Sequence, residues 1–415
     1  SNYGSSADLT YNTGIQYKAY AGNSTLIAGI ENTGGFLKDK KLGYPDLANA
    51  VIVNESIIEI PHAGNTIVSD QSLITTGLFL QYDLKYHRFK TGIGGRIEYY
   101  EVTDRTGDTE KNSGVVFSPR INIMYELLPY LQLRLSYSQG YRAPQIFDED
   151  LHIEASGARR IIHRNDPDLT SEISRSLMAS LDFRKLIGTV SAGMLLETFY
   201  TRLENPFFNE IGIPDQTGTV VYTRRNSDKG AAVKGINLEF NLKPLTRFSF
   251  TSGYTLQMSR YDIPHEFNTR KFLRTPENYG YMSLDWDFKP HSCLSATGTY
   301  TGRMLVPYFG PDTDAEAGEL RESDPFFDLG LKISENVRLN GATLQLFGGV
   351  KNLFNSFQSD FDSGINRDPA YIYGPLLPRT IYFGIKIGNQ LGEVKKDTME
   401  STNRIRKQNR FRGRR

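Results

Sequence analysis

The feature that most constrains this chain is a strict period-two alternation of apolar and polar residues, sustained over runs of about 10–15 residues. Ile381, Phe383, Ile385 and Ile387 fall on one face of such a run, with Thr380, Tyr382, Gly384 and Lys386 on the other. Leu131, Leu133, Leu135 and Tyr137 alternate with Gln132, Arg134, Ser136 and Ser138. The same reading holds for Leu177, Ala179, Leu181 and Phe183, for Ile236, Leu238, Phe240 and Leu242, and for Met282, Leu284, Trp286 and Phe288. Each run is a strand with one oily face and one face able to line a wet interior.

A soluble sandwich also alternates, so the connections decide. Short ones, 85–88, 126–130, 184–188, 243–247 and 289–292, take turns with long ones at 34–67, 104–113, 141–170, 203–218, 260–276, 306–323 and 355–377. Tiny turns on one side and long polar loops on the other is the arrangement of outer-membrane barrels, whose long loops face outward. The runs also exceed the usual five or six residues of soluble strands. The expected fold is therefore all-β, an antiparallel transmembrane β-barrel.

Composition enters where it excludes alternatives. No apolar run approaches the roughly 20 residues of a transmembrane helix, yet barrel strands tolerate a polar average because only one face meets lipid. Cys293 is the single cysteine, which excludes an intramolecular disulfide framework and a multi-cysteine metal site. A net charge of +1 gives no reason to expect a nucleic-acid partner. Tyr82, Tyr86, Tyr99, Tyr100, Tyr125, Tyr130, Tyr137, Tyr200 and Tyr254 stand near strand ends, where aromatic girdles meet headgroups.

About fifteen strands follow, near 6–20, 22–36, 68–86, 88–103, 114–127, 129–140, 171–185, 189–204, 219–243, 246–260, 277–289, 291–307, 324–336, 341–353 and 378–389. Single-chain bacterial barrels close with an even number of strands. An odd count, with residue 1 on the loop side, makes a barrel completed by another segment the expectation.

Four short motifs stand in order along this pattern. They are Tyr141-Arg142-Ala143-Pro144, Asn165-Asp166-Pro167-Asp168-Leu169-Thr170-Ser171-Glu172, Gly349-Val350-Lys351-Asn352-Leu353-Phe354-Asn355 and Pro378-Arg379-Thr380-Ile381-Tyr382-Phe383-Gly384. Together they resemble signature motifs of TonB-dependent receptors, the second with one inserted Asp, and the resemblance covers residues 1 to about 389. It implies a 22-stranded barrel in the outer membrane of a Gram-negative bacterium, with an N-terminal plug that contacts TonB. The chain corresponds to the last fifteen strands or so. The plug and remaining strands are then expected from a missing N-terminal segment or a second polypeptide.

The implied function is active import of a scarce nutrient, such as a ferric siderophore, haem or cobalamin, with TonB-derived energy. No covalent chemistry is implied, and the chain carries no Gly-rich phosphate loop, His-Glu-x-x-His or Gly-x-Ser-x-Gly. Competing readings are a passive porin of 16 or 18 strands and a surface complex component that binds a lipoprotein or glycan.

Ligand candidates cluster in the long loops. Tyr141, Arg142, Asp148, Asp150, His152 and His163 lie in or beside the 141–170 connection. Histidines between the first two motifs resemble those of haem receptors, where an imidazole ligates iron; solvated loop residues are the plain alternative. Arg142 follows a strand directly and is expected to point inward toward lumen carboxylates. Tyr371 and Tyr373 are candidate ligand-stacking aromatics, or simply loop packing. Asp312, Asp314 and Glu316, with Glu319, form an acidic loop that is a weak Ca²⁺ candidate. Its spacing lacks the glycine and terminal glutamate of an EF-hand. The same holds for Asp360, Asp362 and Asp368. Residues 390–415, rich in Lys and Arg, are expected to form a disordered periplasmic tail that either binds anionic headgroups or has no partner.

Overall fold

The computed structural model describes residues 5–41, 49, 51–53, 56–59, 66–106, 110–144, 160–212, 219–310, 313, 318–339, 341–363, 368 and 371–388. The basic tail lies outside the described residues. The first strands are β1 (Ser5–Ala21), β2 (Ser24–Lys41), β3 (Val51–Val53), β4 (Ser56–Glu59), β5 (Thr66–Tyr86), β6 (Phe89–Asp104), β7 (Glu110–Leu128) and β8 (Leu131–Arg142). There follow β9 (Arg160–Asn165), β10 (Glu172–Ile187), β11 (Val190–Glu204), β12 (Phe207–Ile211), β13 (Thr219–Asn226), β14 (Ala231–Leu245) and β15 (Phe248–Tyr261). The last are β16 (Asn278–Trp286), β17 (Ser292–Thr301), β18 (Leu305–Tyr308), β19 (Glu319–Glu322), β20 (Phe326–Leu339), β21 (Ala342–Lys351) and β22 (Thr380–Gly388).

Fifteen of these strands form one sheet in unbroken chain order, β1-β2-β5-β6-β7-β8-β10-β11-β14-β15-β16-β17-β20-β21-β22. Every neighbouring pair is antiparallel. The hairpins β3–β4 and β18–β19 and the three-stranded β12-β13-β9 set stand apart from it, on the long connections. The expected fifteen barrel strands are therefore present, with two corrections. The run read as one strand over 219–243 is two: β13 leaves the barrel and β14 begins at Ala231. The run over 291–307 likewise ends at Thr301, and Leu305–Tyr308 belongs to a separate hairpin.

The tight turns explain themselves locally. Gly22 and Gly188 open the connections after β1 and β10 with φ of 58° and 62°, a left-handed conformation that costs glycine little and that suits the twist of a short hairpin.

Register sorts the side chains into two faces. Leu177 pairs with Tyr137 and Tyr200, Leu181 with Leu133 and Leu196, and Ile236 with Leu256, giving a continuous apolar outer face. On the edge strand Phe383 is 91% exposed, as a lipid-facing side chain is before lipid covers it. The opposite face is polar and internally bonded. Arg96 bridges Glu31 at 2.6 Å and Glu98 at 2.8 Å, and Asp182 takes Arg134 at 2.7 Å and Arg184 at 2.9 Å. Asn237 donates to Glu197 at 2.9 Å and accepts from Thr255 at 2.9 Å. Tyr100 departs from the girdle expected of it, because it is buried on the inner side with Val102 and Val116. Among the described residues β1 and β22 are not paired with each other, so both edges keep a row of free backbone groups. In hydrocarbon each unsatisfied group costs several kcal/mol.

Candidate functional site

Two clusters stand where long connections leave the barrel. The first is built on the ends of β8 and β10, which bring Tyr141 opposite Ile173 and Arg142 opposite Glu172. Tyr141 stacks on Tyr100 with centroids 5.6 Å apart and packs against the buried cluster of Tyr100, Val102, Val116 and Ala143. Its contacts are those of a packing residue. Arg142 is exposed, and its guanidinium sits 5.5 Å from the centre of the Phe207 ring. The Phe207 N–H donates to the Glu172 carboxylate at 3.1 Å.

The second motif ties the accessory sheet to this corner. The Asp166 carboxylate accepts the Asp168 N–H at 2.9 Å, and the buried Leu169 offers its carbonyl to Asn112 at 2.8 Å. Asn226, the last residue of β13, accepts the Thr170 N–H at 2.8 Å and donates to the carbonyls of Thr170 and Asn205 at 3.0 and 2.8 Å. Arg225 bridges Asp166 at 2.8 Å and Glu210 at 2.9 Å. Beside it Arg224 is only 7% exposed. Burial, and then the neighbouring charge of Arg142, push its guanidinium down to about 10. Sequence reasoning missed Arg224, because an arginine in an alternating run looks like any lumen-facing polar residue. Nearby, His265 stacks on Phe208 at 4.3 Å and shares a 2.8 Å hydrogen bond with Ser227. Burial holds its imidazole below the ordinary value, with Asp228 pulling the other way.

The main chain of His163 lies in β9, paired with Tyr222 of β13. Asp148, Asp150 and His152 lie outside the described residues, as do Asp312, Asp314 and Glu316.

The second cluster roots the 352–379 connection. Asn352, at φ 49°, ends β21 in a left-handed turn and is 2% exposed. Its amide donates to the carbonyls of Ser356 at 3.2 Å and Leu377 at 3.0 Å and accepts the Ser356 N–H at 2.8 Å. One side chain thus closes both ends of the connection. Asn355 repeats the device, with φ 57° and a 2.9 Å bond from the Arg379 N–H.

Inside this loop Tyr371 and Tyr373 do come together, 5.2 Å between centroids. Tyr371 is 3% exposed and packs with Val306 and Tyr308. Both phenols donate to Asp360, at 3.1 and 2.8 Å. Burial, and then the bond to Asp360, raise both hydroxyls above the ordinary phenol range, so they stay protonated donors. Arg321 lies 3.4 Å above the centre of the Tyr308 ring. Gln358 donates to the Tyr371 carbonyl at 2.9 Å and accepts the Tyr373 N–H at 2.8 Å. Asp362 accepts the Asp368 N–H at 2.7 Å, and Asp368 the Phe309 N–H at 2.9 Å. These carboxylates are held in loop hydrogen bonds, and among the described residues no group of three His, Cys, Asp or Glu could hold a metal ion.

The assembly offers a charged inner wall beneath hydrogen-bonded loop roots. The family model described as "TonB dependent receptor-like, beta-barrel" matches residues 1–353. The iron-regulated outer membrane virulence protein of Vibrio cholerae is 25% identical over 274 residues, 63% of this chain and 38% of that protein. The ferric-catecholate import receptor of E. coli K12 superposes with a TM-score of 0.63 at 17% identity, covering 92% of this chain and 54% of that one. The ferripyoverdine receptor of Pseudomonas aeruginosa gives 0.64 at 15% identity, covering 92% and 48%. The chain therefore spans about half the length or less of these relatives.

Proposed function

The chain belongs to the TonB-dependent receptor β-barrel family, and on that premise we propose that it walls an outer-membrane import receptor for a ferric siderophore. Members of this family are transport receptors of the Gram-negative outer membrane and not enzymes. The observation that carries the proposal is the inner wall itself. Arg96, Glu31 and Glu98, with the Arg134–Asp182–Arg184 group, give a sheet of this family a lumen that a hydrated cargo and a polar plug both fit. An iron complex is favoured over other nutrients because one sequence relative is iron-regulated and two structural relatives carry ferric complexes.

In this reading a further segment supplies the plug and continues the sheet from its free edges. TonB acts on that plug, and the barrel serves as a fixed scaffold around it. Cargo is recognised by the loops beyond the two rooted clusters, where a few polar and aromatic groups set selectivity.

The test is growth of a deletion strain under iron limitation on a panel of ferric siderophores and haem, with uptake of radiolabelled iron measured alongside. The expected result is loss of uptake of one ferric chelate, and the same loss when TonB is removed from the parent strain. Uptake that continues without TonB, or steady ion conductance of the purified protein in a planar bilayer, overturns the proposal in favour of a passive channel.

A further inference from the structure

The outer face of the sheet gathers a row of cations at one place. At the loop ends of β10, β11, β14 and β15, register aligns Arg175 with Arg202, Arg202 with Ala232, and Ala232 with Arg260. These residues share the face of Leu177, Tyr200 and Met258, the outward one. One row closer to the apolar band, Lys234 pairs with Tyr200 on one side and Met258 on the other. The small side chain of Ala232 leaves a gap between Arg202 and Arg260, whose backbones are about 10 Å apart across two strand spacings. Lys234 stands directly below that gap.

Charge is unevenly matched here. Glu204 takes Arg175 at 2.6 Å, and Asp262 takes both terminal nitrogens of Arg202. Lys234 and Arg260 are exposed, and among the described residues neither reaches a carboxylate within ion-pair distance. Arg270, bonded to the Tyr261 carbonyl at 2.9 Å, adds a further cation beside Asp262. Lys271, opposite Arg260, pairs with Glu277 at 2.9 Å, so the patch carries six cations against three carboxylates.

Directly beneath it runs a groove of about 980 Å³ with Lys234 at its upper end. Ala179 and Thr198, paired across β10 and β11, are small beside their neighbours Leu177 and Tyr200, and Ile236 and Leu256 form the far wall. A cationic pocket above an apolar groove, on a surface that faces lipid, matches an amphiphile with a phosphorylated head and acyl tails.

We propose that this patch is a lateral binding site for a phosphorylated lipid of the outer leaflet, with its phosphate between Arg202, Lys234 and Arg260 and an acyl chain in the groove below. The site rests on placing the long connections on the cell exterior, and it is read without cargo, so a wrong cargo assignment leaves it standing.

The test is binding of bisphosphorylated lipid A to the purified receptor in detergent, measured by native mass spectrometry, against the same lipid freed of its phosphates. The expected result is about 30-fold weaker binding for the dephosphorylated lipid and for the Lys234→Gln/Arg260→Gln variant, the loss anticipated from two headgroup-level cations. A Lys289→Gln/Arg338→Gln variant at the opposite rim should bind as the parent does. Equal binding of both lipids, an equal loss in the opposite-rim variant, or displacement of the lipid by an equimolar amount of inorganic phosphate overturns the proposal. The comparison of the two lipids on the parent protein decides the matter even where a variant fails to fold.

Discussion

The joint after β21 and the joint between β8 and β10 solve one problem in different ways. Both must end a barrel strand, release a long connection and recover the chain for the next strand. At β21 a single buried amide, Asn352, bonds the start and the end of its loop. At β8 and β10 the work is spread over a separate three-stranded sheet, a cation on an aromatic ring and a bonded carboxylate. A compact joint concentrates stability in one residue, whereas a distributed one should tolerate the loss of any single contact.

The largest test of that contrast is Asn352→Ala. It removes two donated bonds and one accepted bond and takes the amide partner from the Ser356 and Leu377 carbonyls, an expected loss of about 3 kcal/mol in urea unfolding from lipid bilayers. Asn352→Gly relieves the left-handed backbone but not the lost bonds. If it recovers most of the loss, the joint depends on conformation and not on hydrogen bonding. Next comes the Tyr371→Phe/Tyr373→Phe pair, which leaves Asp360 without its phenol donors. A loss of about 2 kcal/mol is expected, with faster proteolytic cleavage of the 352–379 connection as the readout.

The distributed joint should give less. Glu172→Gln keeps an acceptor for the Phe207 N–H but removes the charge facing Arg142, and about 1 kcal/mol is expected in the same unfolding assay. A loss equal to that of Asn352→Ala would break the comparison. The smallest effect is that of pH on His265. Its folded value lies below the ordinary 6.5, so as pH falls through that value the unfolded chain takes up a proton before the folded one does. Its contribution is complete above pH 6.5 and shrinks below it. The protection factors of the Ser227 and Phe208 amides, corrected for intrinsic exchange, should fall from pH 7.5 to pH 5, and His265→Gln should abolish the difference.

The barrel was legible because its signal is local. Alternation in Leu177, Ala179 and Leu181 needs no partner to be seen, and fifteen runs of it became fifteen barrel strands. The misread run over 219–243 alternates only in its second half, and the turn-forming Asn226-Ser227-Asp228-Lys229-Gly230 marks where β13 leaves off and β14 starts. The loop clusters were legible in pieces. Tyr371 and Tyr373 stood out as aromatics and Asp360 as a carboxylate. That all three share hydrogen bonds, against Tyr308 and Arg321 from an earlier connection, depends on contacts distant in sequence. The motif residues Tyr141 and Arg142 sit at a strand-to-loop joint, the first half-buried and packed and the second exposed against Phe207, which explains why family motifs located the fold and said little about cargo.

The order of the main sheet never departs from the order of the chain. Each barrel strand's partner is the one made just before or just after it, and the hairpins β3–β4, β12–β13 and β18–β19 are closed within single connections, while β9 joins β13 from another. Ordering such a wall requires only closures between strands consecutive in the wall, which cost less chain entropy than joining its two ends. The barrel can therefore grow by hairpins, each added to the edge left by the last. Only the edges β1 and β22, unpaired with each other among the described residues, are left to wait for a distant encounter. The rate of assembly should accordingly respond to mutations at these two edges far more than to equally destabilising mutations within the wall.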